Sequence, residues 1–243
     1  MAYGRRKRNI GAHVHSSRAG YSFEASHPNI RYIFYLSLAV CILLGFIVFG
    51  ALYAAGLVNL ATAEAGSSMA LSLFFLLVVF SYLLWRGRTL RQIISSLGLS
   101  RSALTARNIG IGVALFAAIL VVELAIGAFS VVTGISLPTN TAQIFSGLPA
   151  YFLAFALIVA PLDEEILFRG FMVPRIGIVL SALLFGLLHL LSYLSISEFI
   201  AALAFGLLAG YVFRRTGSLY PSIAAHMLVN ALGILALIAS MAL

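Results

Sequence analysis

Glu164 and Glu165 stand side by side in the run 157–169, whose only other charged residues are Asp163 and Arg169. Glu165 and Arg169 are four residues apart, so on a helix they share a face and can pair. Glu164 is turned by about 100° from that face and is left without a local partner. Two further pairs repeat the spacing downstream: Phe185 with His189, and His226 with Asn230. A charged side chain at the centre of a bilayer costs roughly 2.5–3.5 kcal/mol on insertion scales, so such residues are either paired or put to use.

One carboxylate, two histidines and an asparagine allow two kinds of hydrolysis. In the first, Glu164 takes a proton from water. His189 holds the same water, and His226 and Asn230 donate hydrogen bonds to the developing oxyanion of a cleaved peptide bond. One such donor is worth about 2.7–4 kcal/mol in the transition state. In the second, Glu164, His189 and His226 are zinc ligands that leave a position for water. The helical zinc signature HExxH is absent. Serine or cysteine catalysis fits worse, because no serine sits in a GxSxG turn and the one cysteine, Cys41, is remote in an apolar run. Non-catalytic explanations stand beside both: an ion-pair network for Glu164, Glu165 and Arg169, a packed His189, and interhelical hydrogen bonds for His226 and Asn230. Glu123 is read as structural, either a protonated acid donating a hydrogen bond or a partner to Arg169 across helices.

These residues need helices in lipid to hold them. Hydrophobic residues make up 62% of the chain and charged residues 9%, far from the ~45–50% and ~25% of soluble domains. The expected fold is all-α, a polytopic membrane bundle of about seven spans. The candidates are Tyr32–Leu57, Ser68–Trp85, Ile109–Thr133, Pro149–Phe171, Ile176–Tyr193, Phe199–Phe213 and Leu219–Met241, with the fourth and sixth weakest by length and charge. The net charge of +8 is placed in the N-terminal tail and at the ends of apolar runs. That is a topology signal, and it argues against a nucleic-acid partner. Arg86, Arg88, Arg91, Arg101, Arg107, Arg175, Arg214 and Arg215 fall in alternate joins, while loops 58–67, 134–148 and 194–198 carry no Lys or Arg. The positive-inside rule then puts the N-terminus in the cytoplasm and the C-terminus outside. Residues 1–30 read as a disordered basic cytoplasmic tail, 31–148 as N-terminal spans and 149–243 as the core with the polar pairs. Residues 90–97 suggest a short interfacial helix, and Gly206 with Gly210 suggests close helix packing. Counted along the helix from Arg175, Glu164 lies ~16 Å deep, a depth that His189 and His226 can also reach.

Glu164–Arg169 fits EExxxR, Phe185–His189 fits FxxxH and His226–Asn230 fits HxxxN. Their order, with the helix-entry run 216–226, resembles the CAAX-protease and bacteriocin-processing (CPBP or Abi) family of intramembrane proteases. That family includes the type II CAAX prenyl endopeptidases. The resemblance covers roughly residues 150–235. It implies an all-helical core with its site opening toward one leaflet. It also implies Glu164 as general base, His189 as its partner on the water, and His226 with Asn230 as the oxyanion site. Glu165 and Arg169, with Phe185, would support the motif helix. The family has been described both as metal-dependent and as glutamate-based. The metal-free version is preferred here, with no cofactor, and zinc is the alternative. The expected protein is a multi-pass peptidase of the cell membrane. Its partners are membrane lipid and a membrane-associated or lipidated peptide or protein. A scaffold or immunity-type protein that keeps the motif for binding, and a proton-coupled transporter, are the other readings.

Overall fold

Capping side chains mark where the apolar runs become helices. In the computed structural model, residue 44 and residues 47–137 and 147–241 are described. The basic tail, Cys41, most of the first candidate span and residues 138–146 lie outside the described residues. Helix α1 (Leu60–Trp85) starts at Asn59, whose side chain accepts from the Thr62 amide at 2.8 Å. Thr89 and Gln92 form a reciprocal capping box on the short α2 (Leu90–Ser96). Thr105 accepts from the Asn108 amide at 3.2 Å and opens α3 (Ala106–Thr133). Each such cap satisfies an otherwise orphaned amide and is worth about 1 kcal/mol. Helix α4 (Ala150–Glu165) runs without a break into a π-helical segment (Ile166–Met172) and then into α5 (Val173–Tyr193). Helix α6 (Ile196–Thr216) is capped by Ser195 and ends at Gly217, and α7 (Tyr220–Met241) follows at once. Every regular element among the described residues is helical.

Four of these helices, α1, α3, α6 and α7, are long and apolar enough to cross a membrane. Many of their large apolar side chains are exposed, including Leu77, Val121, Leu124, Val131, Val132 and Leu235. Water would penalise that surface, whereas lipid does not. The protein is a multi-pass membrane protein. Two span expectations change. The sixth candidate, short on paper, extends to the full α6 because Ser195 and Gly217 cap it further out. The fifth is cut to Ile178–Tyr193, because Gly177 leaves helical geometry at φ 86°.

The arginine-bearing joins meet at one end of the bundle. The Leu219 amide donates to Gly98 O at 3.0 Å, Tyr220 Oη donates to Leu99 O at 3.2 Å, and Arg214 Nη2 donates to Val173 O at 3.4 Å. Helix α2 lies at that end with Ile93 buried and Leu90 exposed, as an interfacial helix should. The main helix contacts are α5 with α6, α3 with α7, α4 with α7 and α1 with α4.

Helix α6 approaches α5 closely through its glycines. A Cβ on Gly206 would stand 2.8 Å from Ala182 Cβ and 2.9 Å from Ala182 Cα, and one on Gly210 would stand 2.8 Å from Ile178 Cγ2. Gly206→Leu should therefore lower stability by about 1–3 kcal/mol through overpacking. The check is the thermal midpoint of the detergent-solubilised protein; an unchanged midpoint would mean the two helices are not so close.

Candidate active site

The α-to-π junction after Glu165 fixes the orientation of the EExxxR motif. Pro161 sits inside α4 and brings no amide hydrogen to the ladder. Five residues on, the π-helical turns begin. The Val173 amide reaches back to Phe168 O, and Ser181 Oγ donates to the same carbonyl at 2.7 Å, so this buried acceptor is fully used. Arg169 Nη1 and Glu165 Oε1 meet at 2.9 Å, with side-chain exposures of 1% and 0%. The flat guanidinium packs against two rings, 4.2 Å from the Phe185 centroid and 5.0 Å from that of Phe205. Such contacts hold arginine in an apolar setting better than they would hold lysine.

Glu165 also fixes His226. Its Oε1 lies 3.1 Å from His226 Nδ1. A carboxylate paired with arginine only accepts, so Nδ1 carries the proton. The Nε2 side of the ring then faces Glu164, with 3.8 Å to Oε2. That oxygen is buried and has no hydrogen-bond partner among the described residues. The two neighbouring glutamates thus differ as their 100° offset requires. Both keep a buried Oε2 without a hydrogen-bond partner among the described residues, but Glu165 has its Oε1 held by Arg169 and His226, whereas Glu164 makes no hydrogen bond to either.

His189 and Asn230 each have part of their hydrogen-bonding capacity in use. His189 Nδ1 donates to Phe185 O at 3.0 Å, which leaves Nε2 available. Its ring lies 4.3 Å from the Phe185 ring and 5.8 Å from that of Tyr193. Phe185 in turn meets His226 edge-on at 5.9 Å, so it stands between the two imidazoles. Asn230 Nδ2 donates to Ala156 O at 2.8 Å, next to the carbonyl of Leu157 that Pro161 leaves without its helical donor. One amide hydrogen of Asn230 is spent on α4, and the second is free to serve another acceptor.

Two residues escaped the sequence reading. Ser72 on α1 donates to Asp163 Oδ2, while Asp163 Oδ1 accepts from the Glu164 amide at 2.9 Å. Asp163 was plain in the sequence, but Ser72 lies 91 residues away and carries no signal of its own. Tyr193 extends the spacing of Phe185 and His189 by one more helical turn, and the charge of Glu164 acts on its hydroxyl. That repeat was the signal for it. One expectation is corrected. Glu123 is exposed on α3 and sits near Glu198, and the partner of Arg169 is Glu165. Glu123 lies seventeen residues into α3, about 25 Å from its start and far from the motif arginine. Among the described residues no three His, Cys, Asp or Glu side chains are gathered closely enough to hold a metal ion.

Residues 146–232 match the family model for Rce1-like type II CAAX prenyl endopeptidases. This is the stretch that carries the three motifs, and the family it matches is one of proteases. An uncharacterized protein, YpbD, of Bacillus subtilis (strain 168) is 30% identical over 89 residues, covering 37% of this chain and 47% of that protein. The matched stretch thus spans about half the length of that relative. No solved structure matches the chain.

Two substitutions test this geometry. Arg169→Ala leaves the Glu165 carboxylate buried without its cation, and should cost about 3–5 kcal/mol, read from reversible unfolding in detergent. Ser72→Ala strips Asp163 of a hydrogen bond and should cost about 1–3 kcal/mol by the same measurement. Stability unchanged by either would mean that the buried carboxylate has another partner.

Proposed function

We propose that the protein is an intramembrane endopeptidase of the cell membrane that hydrolyses a peptide bond in a membrane-associated or lipidated peptide or protein, with its N-terminus in the cytoplasm. The observation that carries this reading is the open Glu164 oxygen, buried and 3.8 Å from an imidazole nitrogen whose ring is fixed from behind. That separation is too long for a direct hydrogen bond, so the oxygen stays free to act on a water while His226 Nε2 faces the same space. The match to a prenyl endopeptidase family supports the choice of reaction.

In this mechanism Glu164 removes a proton from the attacking water, and His189 Nε2 holds that water in line. The oxygen adds to the scissile carbonyl carbon. The resulting oxyanion accepts hydrogen bonds from the free amide hydrogen of Asn230 and from His226 Nε2 when the ring is doubly protonated. The proton on Glu164 then passes to the amide nitrogen as the carbon–nitrogen bond breaks, giving a carboxylic acid and an amine. Glu165 and Arg169 touch no reacting atom; they orient His226 and brace the helix. Lipid and the apolar helices keep bulk water away, which strengthens each of these polar contacts. The basic end of the bundle is the cytoplasmic one in this reading.

Glu164→Gln keeps the size of the side chain and removes the base. Cleavage of a membrane peptide should fall by about 100-fold to 10,000-fold with the thermal midpoint unchanged. Full turnover in the variant would reject glutamate as base and favour a protein that uses the motif for binding. Chelator treatment should leave activity intact. Inhibition reversed by zinc would move the assignment to a metal site on Glu164, His189 and His226.

A further inference from the structure

A second polar site lies at the arginine-rich end, away from Glu164. A cleft of about 330 Å³ is lined by Tyr82, Arg86 and Arg88 from the end of α1, by Ser96 and Leu97 from α2, and by Gly170, Pro174 and Arg175 around the π segment. None of the lining residues is acidic. The three guanidiniums are close enough that Arg86 and Arg88 both press their charge on Arg175. Arg175 is also held in place. It donates to Phe171 O at 2.5 Å, and its guanidinium lies 3.8 Å from the Phe171 centroid and 5.5 Å from that of Tyr82. These two rings meet edge-on at 5.4 Å, so the arginine rests on a fixed aromatic corner.

Like charges do not gather round one cleft without cost. An anion between them relieves the repulsion, and guanidinium forks match the oxygens of a phosphate. The setting is also that of a head group. The cleft opens at the end of the bundle, beside the largely exposed helix α2 with its outward Leu90 and Ile94, where lipid phosphates lie. We infer that Arg86, Arg88 and Arg175 form a binding site for a phosphate-bearing anion. The shared chemistry is the phosphate group, whether it is carried by an anionic lipid or by a soluble phosphate. The site floor includes Gly170, next in sequence to Arg169, so an occupant would rest against the motif segment. The inference does not depend on Glu164 being catalytic.

The test uses the full chain in detergent and native mass spectrometry. Phosphatidylglycerol, phosphatidylcholine and inorganic phosphate are added separately. The wild type should retain phosphatidylglycerol in preference to phosphatidylcholine. Arg88→Gln with Arg175→Gln should weaken that retention by about tenfold or more, while the Lys pair at the same positions keeps most of it. Arg107→Gln with Arg215→Gln, in the neighbouring basic cleft, should leave it unchanged. Should the double Gln variant fail to fold, Arg88→Glu in the exposed join serves instead. Arginine-dependent retention of the lipid identifies a head-group site. Arginine-dependent retention of inorganic phosphate with no preference among lipids identifies a soluble anion. Equal retention of both lipids, unaffected by these substitutions and with no phosphate bound, overturns the inference.

Discussion

A guanidinium and a carboxylate, Arg169 and Glu165, face each other at 2.9 Å with almost no access to solvent. Neither could stay charged there alone, because the cost of removing an ion from water is several kcal/mol. Together they are held by more than their mutual attraction. Phe185 and Phe205 cover the guanidinium, and His226 takes up the carboxylate oxygen that faces it. Five segments therefore have to be in place at once: α4, the π segment, α5, α6 and α7. The pair fixes how these segments face one another, and the orientation of His226 follows from it.

The neighbouring carboxylates show what that fixing accomplishes. Asp163 points to α1 and is satisfied by Ser72. Glu165 points to the centre, where arginine and histidine hold its Oε1. Glu164 falls between the two and keeps an oxygen without a partner. Three consecutive acids thus have three different environments, because consecutive residues on a helix face different directions. The π-helical turns matter here as well. They begin directly after Glu165, and Ser181 adds a second hydrogen bond to the Phe168 carbonyl that the Val173 amide already reaches. Departures of this kind from the α-helix are frequent at functional sites, where they re-aim side chains.

The two ends of the motif helix are treated differently by the fold. Toward the interior, the charged groups are buried and gathered around the Glu165–Arg169 pair. Toward the arginine-bearing joins, Arg86, Arg88 and Arg175 stand exposed around an open cleft. Backbone hydrogen bonds from Leu219 to Gly98 and side-chain bonds from Tyr220 and Arg214 tie those joins together. The charge that sets topology in the sequence thus lines two clefts, one of them reaching Gly170 beside the buried pair.

Helix type was legible over the described chain because its apolar runs are long, while four helices among the described residues, not seven, are long and apolar enough to cross a membrane. Asn59, Thr105 and Ser195 are local signals, and they place helix starts more generously than hydropathy alone suggests. The i, i+4 spacings correctly put Glu165 with Arg169, since that pair needs only one helix. The break at Gly177, the bond from Ser72 to Asp163 and the isolation of Glu123 from Arg169 were not legible, because each depends on what a different helix presents at that depth. By itself the sequence determined that these helices live in lipid and which polar residues lie on them. Only the tertiary structure decided that His226 joins Glu165 through one ring nitrogen and turns the other toward Glu164. The physical reason is that the partner comes from α7, sixty-one residues along the chain from Glu165, and helix packing alone sets where that imidazole arrives.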